Sequence, residues 1–175
     1  MTTYIALLRA VNVGGTGKLP MADLKAMCLE LGFTNVQTYI ASGNVVFQSS
    51  LSAAKVQTAL EAKLQAYAGK PVGVHIRTTA QMQAVRDGNP FPKAAPNRVM
   101  VIFLDVSADK AMLTGIAGQK EEQIALGLNE LYVHYCDGMA QSKLKIPAAK
   151  TGTARNMNTV GKLAEMAENV NIASK

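Results

Sequence analysis

Tryptophan is absent from this 175-residue chain, and all aromatic residues together make up 5%. With so few rings, a core must rest on Leu, Val, Ile, Ala and the nine Met. There are two cysteines, Cys28 and Cys136, far apart and without a CxxC partner. That excludes a disulfide framework or a zinc knuckle, and both read as core thiols. The twelve acids are scattered, with no D-x-D or H-E-x-x-H arrangement. Glu121 and Glu122 are adjacent and would face opposite ways on a strand. No metal and no cofactor is therefore expected, and a paired-carboxylate mechanism has no anchor.

Long hydrophobic runs are missing too. The run Ile5 to Leu8 is cut by Arg9 and Asn12, far short of a secretory h-region. Nothing approaches the ~20 apolar residues of a membrane span. A cytoplasmic location without a membrane partner is expected. Hydrophobic residues still reach 49% and charged residues 17%, so a true core can form.

Charge is uneven around the net +6. Residues 1–96 carry +5, residues 97–137 carry −3 and residues 138–175 carry +4. From Gly138 to Ala164 there is no acid, but Lys143, Lys145, Lys150, Arg155 and Lys162 are present. Such a block is either a solvated basic face or the footprint of an anionic partner.

Periodicity orders the elements. Thr3–Val11 reads as a strand, and Met21, Leu24, Met27, Cys28 and Leu31 form a helical stripe closed by Gly32. Val36–Ala41 and Val45–Phe47 flank a turn at Ser42–Asn44. Ala53, Val56, Leu60, Leu64 and Tyr67 mark a second helix, and Pro71–Thr78 a strand. The order β-α-β-β-α-β is the ferredoxin-like pattern, an antiparallel sheet with both helices on one face. A short helix over Thr79–Asp87 follows.

The proline-rich "NPFPKAAP" sits inside a proposed linker, 89–97, between subdomains 1–88 and 98–175. The second half begins alike: a strand over Arg98–Leu104, a helix capped by Ser107, and a hairpin over Glu122–Leu126 and Leu131–Cys136. After Asp137 the parallel is expected to end, with a short helix near Gln141–Leu144 and a last helix carrying Met157, Val160, Leu163 and Ala167. The fold class is α+β with two subdomains, the first ferredoxin-like.

Three stretches carry candidate chemistry. "RAVNVGGTGKLP" follows the first strand. Walker A fails because Asn12 takes the first glycine position and Leu19 replaces Ser/Thr. Gly15-x-Gly17 followed by Pro20 is no Rossmann fingerprint. The loop is either a turn needing positive φ or a backbone cradle for an anion. "YIASGNVVF" puts Ser42 and Asn44 on a turn. A nucleophilic Ser42 would need a base, and neither His75 nor His134 is linked to it in sequence. "KTGTARNMNTVGKL" opens the last helix. There Arg155 opposes the helix dipole by ~0.3–1 kcal/mol unless an anion binds. The plainer alternative is a cap by Thr153 or Asn156.

These stretches resemble a bacterial family known as domain of unknown function 1697. Its signatures look like R-G-I-N-V-G-G, Y-I-Q-S-G-N-V-V-F and T-x-R-N-W-N-T-V. Here they read Arg9 to Gly15, Tyr39 to Phe47 and Thr153 to Val160. The resemblance implies two α+β subdomains and no established activity. Ala10 stands where glycine is usual, and Met157 where tryptophan is usual. A stacking tryptophan would be weakened by Met157, whereas a core residue would be replaced well.

The combined reading is a small anionic, phosphate-bearing ligand held by Arg9, Asn12, Gly14, Gly15, Lys18, Ser42, Asn44, Arg155, Asn156 and Thr159. Whether turnover accompanies binding is open. An enzyme acting on a phosphorylated metabolite would use Lys18 and Arg155 as clamps. Nucleic-acid binding on an open sheet face is the second choice of partner, and a sheet face pairing with another copy is a further one.

Overall fold

The computed structural model describes residues 1–13 and 17–175. The chain divides into two compact units, Met1–Met82 with Leu163–Lys175, and Gln83–Lys162. Among the described residues no helix is long and apolar enough to cross a membrane.

The first unit runs β1 (Thr2–Leu8), α1 (Met21–Glu30), β2 (Thr34–Thr38), β3 (Asn44–Ser49), α2 (Ala53–Ala68) and β4 (Val74–Thr78). Its sheet is antiparallel in the order β2-β3-β1-β4. This is the ferredoxin-like arrangement. Tyr4, Ala6, Leu8, Val45, Phe47, Val74 and Ile76 pack under Leu24, Met27 and Cys28 of α1 and Val56, Leu60 and Leu64 of α2. Phe33 stacks on Phe47 with ring centroids 4.4 Å apart.

Two strands are shorter than their apolar patterns. The stretch Thr3–Val11 stops pairing at Leu8 because Ala10 and Asn12 take φ of 55° and 54°. Likewise β2 ends at Thr38, before Ile40 with φ of 49°. Left-handed backbone breaks regular pleating, and inside β2 the one such residue, Asn35 with φ of 51°, sits where the register with β3 shifts.

The opposite sheet face is not open. Thr3, Ile5, Leu7, Val46, Gln48, His75 and Arg77 on it are all buried. The C-terminal part of the last helix covers some of it. Thr3 Oγ1 donates to Asn171 Oδ1 at 2.6 Å, and Asn171 Nδ2 donates to Thr79 Oγ1 at 3.2 Å. Ser174 Oγ and Asn35 Nδ2 both donate to Gln48 Oε1, at 3.2 and 2.6 Å. An aromatic platform of the RNA-recognition kind is therefore lacking on this face, and so is a bare face for a second copy.

The second unit holds most of α3 (Thr79–Asp87), then β5 (Val99–Phe103), β6 (Gln123–Leu126), β7 (Glu130–His134), β8 (Thr153–Asn156) and the start of α4 (Met157–Ala173). Its sheet order is β6-β7-β5-β8, again antiparallel. The order repeats that of the first unit strand for strand. The expected Ser107-capped helix is only a 3₁₀ turn at Lys110–Leu113, capped by Asp109 through the Met112 amide. No helix forms at Gln141–Leu144, and a 3₁₀ turn at Pro147–Lys150 stands before β8. Short turns suffice because Ile102, Leu104, Leu131, Val133 and Ile146 form a smaller cluster on this side.

The repetition continues past Asp137, against the sequence expectation. Ile5 is flanked by Val46 and Arg77 across its sheet, and Val101 by Tyr132 and Arg155 across the other. Leu7 is flanked by Asn44 and His75, and Phe103 by Glu130 and Thr153. Arg77 and Arg155 thus hold equivalent positions. Each is buried, and each Nη1 donates to the carbonyl of the preceding residue at 2.9 Å. One residue later both strands meet a helix cap. Thr78 Oγ1 accepts from the Gln81 amide at 3.2 Å, and Asn156 Oδ1 from the Thr159 amide at 3.0 Å. In return Gln81 Oε1 accepts from the Thr78 amide at 2.9 Å, a capping box.

Candidate functional site

The loop after β1 is anchored at both ends by apolar side chains. Val11 and Leu19 are buried in the core of the first unit. Between them the chain is closed by Asn12. Its amide nitrogen Nδ2 donates to the Leu19 carbonyl at 2.9 Å, and its Oδ1 accepts from the Leu19 amide at 2.8 Å. The Asn12 backbone amide donates to the Gly17 carbonyl at 3.0 Å. Gly14 and Gly15, the expected backbone donors, lie outside the described residues.

Asn12 also reaches the second stretch. The same Nδ2 donates to the Ala41 carbonyl at 2.7 Å. Gly43 makes this approach possible. A Cβ there would lie 2.5 Å from Val11 Cγ2 and 2.8 Å from Leu8 Cβ, and its φ is 87°. Asn44, fully buried, ties the turn from inside, donating to the Tyr39 carbonyl and to Ser42 Oγ, both at 2.9 Å. The first and second sequence stretches therefore meet in one unit. Asn12 and Asn44 serve as its scaffold, while Arg9 and Lys18 are exposed. The Arg9 backbone amide donates to the Gly73 carbonyl at 2.9 Å.

Left-handed backbone concentrates here. Ala10, Asn12 and Ile40 are three of the four described non-glycine residues with positive φ. For the branched Ile40 this costs on the order of 1–3 kcal/mol. Such strain persists where surrounding bonds over-determine it, and it gathers at ligand-binding segments. It also explains why glycine suits position 10.

The third stretch belongs to the second unit. Arg155 lies in β8, one residue before the Asn156 cap, not in the first helical turn where the sequence suggests it. The dipole penalty expected for it therefore does not arise. Its Nη1 also donates to Thr153 Oγ1 at 2.7 Å, and burial pulls its guanidinium down to about 10. It stays charged at neutral pH. Asn156 and Thr159 form the cap itself, so the capping reading of this stretch describes their side chains. Met157 is buried, as a core residue would be. Of the two histidines, His75 is buried in β4, while His134 meets Phe91 in a tilted pair with centroids 5.4 Å apart.

Sequence reading missed Glu130, the counterpart of Asn44. Its carboxylate accepts from the Leu128 and Asn129 amides at 3.0 and 3.1 Å and closes the β6–β7 turn. It also missed Arg77. The available signal was the shared order of strand, arginine, small polar cap and helix in "HIRTTAQM" and "TARNMNTV". Among the described residues no three His, Cys, Asp or Glu side chains gather as a metal site would.

An α+β protein of two units with the same sheet order, the first ferredoxin-like and carrying a strained double loop at one end of its sheet, is the class these features define. The family model described as protein of unknown function (DUF1697) matches residues 1–132, and the chain belongs to this family. Among solved structures it is similar to the conserved bacterial protein SP0830 from Streptococcus pneumoniae. The two share 25% identity over 95% of this chain and 98% of that one, with a TM-score of 0.77. No curated protein matches the chain.

Proposed function

We propose that the double loop of the first unit binds a small anionic, phosphate-bearing ligand. Support comes first from the Asn12 bridge, which locks the glycine-rich loop onto the 39–43 turn with strained backbone on both sides. Those bonds fix Asn12, Leu19 and Ala41 relative to one another in advance, which lowers the ordering cost of binding beside them. Arg9 and Lys18 would supply charge, Gly14 and Gly15 backbone donors, and Ser42 a hydroxyl. Asn12 and Asn44 would act by positioning these groups. Arg155, Asn156 and Thr159 hold structural bonds in the second unit and are left outside the proposed contact set.

A thermal-shift series with inorganic phosphate, nucleotides, sugar phosphates and short oligonucleotides, at two salt concentrations, tests this. A phosphate compound at 100-fold its dissociation constant should stabilise the protein by ~2.7 kcal/mol. The Arg9→Ala/Lys18→Ala double variant should lose the shift. If no phosphate compound shifts the wild type at millimolar concentration, the reading fails.

A further inference from the structure

A cleft of about 470 Å³ opens in the second unit, and no residue of the proposed anion site lines it. Cys136 lines it and is half-buried. The Cys136 thiol donates to the Glu121 carbonyl at 3.2 Å, and its Sγ lies 3.6 Å from His134 Nδ1. The imidazole also meets the Phe91 ring, tilted at 36° with centroids 5.4 Å apart. The backbone is held too, because Arg98 Nη1 donates to the Cys136 carbonyl at 2.6 Å. A nucleophile lining a cavity of small-molecule size therefore has an imidazole nitrogen beside it. The sequence reading of Cys136 as an inert core thiol does not describe this setting.

The lining charges select among reagents. One cation, Lys120, stands against Glu121, Glu122 and Asp137. The Ser142 hydroxyl and the Lys120 amide hold the Glu122 carboxyl below its ordinary range, so it is ionised at neutral pH. Such a cleft favours cationic visitors.

We propose that Cys136 is a reactive thiol, with His134 as its proton acceptor, that exchanges with small cationic disulfides entering this cleft. The proton passes from Sγ to Nδ1. The thiolate attacks one sulfur of the disulfide, and a new bond forms between Cys136 and that half of the reagent. The reagent's own S–S bond breaks, and its other half leaves as a thiolate that takes the proton from the imidazolium. Cys136 is oxidised and the leaving sulfur reduced, so no further reductant or oxidant is needed.

Cys28 is the internal control. It is buried in the first unit, with burial pushing its thiol up to about 12. Treat the full-length protein with cystamine at pH 7 and follow it by intact mass and peptide mapping. One adduct per chain is expected, on Cys136, forming at least about tenfold faster than on N-acetylcysteine. The dianionic 3,3′-dithiodipropionate should react several-fold more slowly, with the gap closing in high salt. His134→Asn should slow the cystamine reaction about tenfold at pH 7, and added imidazole should restore part of the lost rate. A merely structural histidine would not produce that rescue. A wild-type rate no higher than that of N-acetylcysteine, or a His134→Asn rate unchanged at pH 7, overturns the proposal. Should His134→Asn unfold, the comparison with N-acetylcysteine decides alone.

Discussion

Asn12 and Ala10 sit two residues apart and should respond with opposite signs. Asn12→Ala deletes an amide that bonds Leu19 twice and Ala41 once. A loss of about 1–3 kcal/mol in urea unfolding is expected. Ala10→Gly relieves a left-handed φ worth about 1–2 kcal/mol, offset in part by the freer unfolded chain. The net expectation is a gain of up to about 1 kcal/mol in the same measurement.

Cys28 gives a pH signature at the same scale. Its thiol ionises at 9.0 when unfolded and at about 12 when folded. Between these values the unfolded chain holds fewer protons, so stability falls as pH rises. The slope should be about 1.4 kcal/mol per pH unit from this group. Cys28→Ala should be less stable at pH 7 but show a shallower decline above pH 9, read from urea midpoints at pH 7, 9 and 10.

At the scale of elements, the caps of α3 and α4 are equivalent, and their removal should cost alike. Thr78→Ala and Asn156→Ala are each expected to lose about 0.5–2 kcal/mol in chemical denaturation. A clear mismatch, with one variant silent, would mean that the repeated strand–arginine–cap unit differs in its two settings. The hairpin turns repeat as well, with Asn44 donating to its turn and Glu130 accepting from the other. Elements of the first half were legible because their apolar spacing agrees with their turn residues. Gly32, with φ of 82°, ends α1 where a C′ glycine belongs. The helix expected after Ser107 does not form: its apolar residues Met112, Leu113 and Ile116 are too few to extend the 3₁₀ turn at Lys110–Leu113 into a full helix. Strand ends were misjudged at Val11 and Ala41 because nothing in the apolar pattern marks Ala10 or Ile40 as left-handed.

At the scale of the whole molecule, α4 belongs to both units. Residues up to Lys162 fall in the second, and Leu163–Lys175 in the first. A chain ending at Lys162 would lose the buried Leu163, Ala164, Ala167 and Val170, and the Asn171 bonds to Thr3 and Thr79. That amounts to on the order of 5 kcal/mol, comparable to the full stability of a modest domain. Such a chain should lose cooperative unfolding and bind a hydrophobic dye at neutral pH. A truncated chain that unfolds at the wild-type midpoint would show that α4 contributes little to the first sheet.

The amino-acid pattern alone determined the β-α-β-β-α-β order, the α+β class and the three polar stretches. These follow from local periodicity and turn chemistry, which neighbouring residues write directly. Only the tertiary structure decided that Asn12 bridges to Ala41, that Arg155 is buried in a strand opposite Val101, and that the second half repeats the first through its last helix. Those facts depend on strand register and on which face each side chain meets, and residues far apart in the chain settle them together.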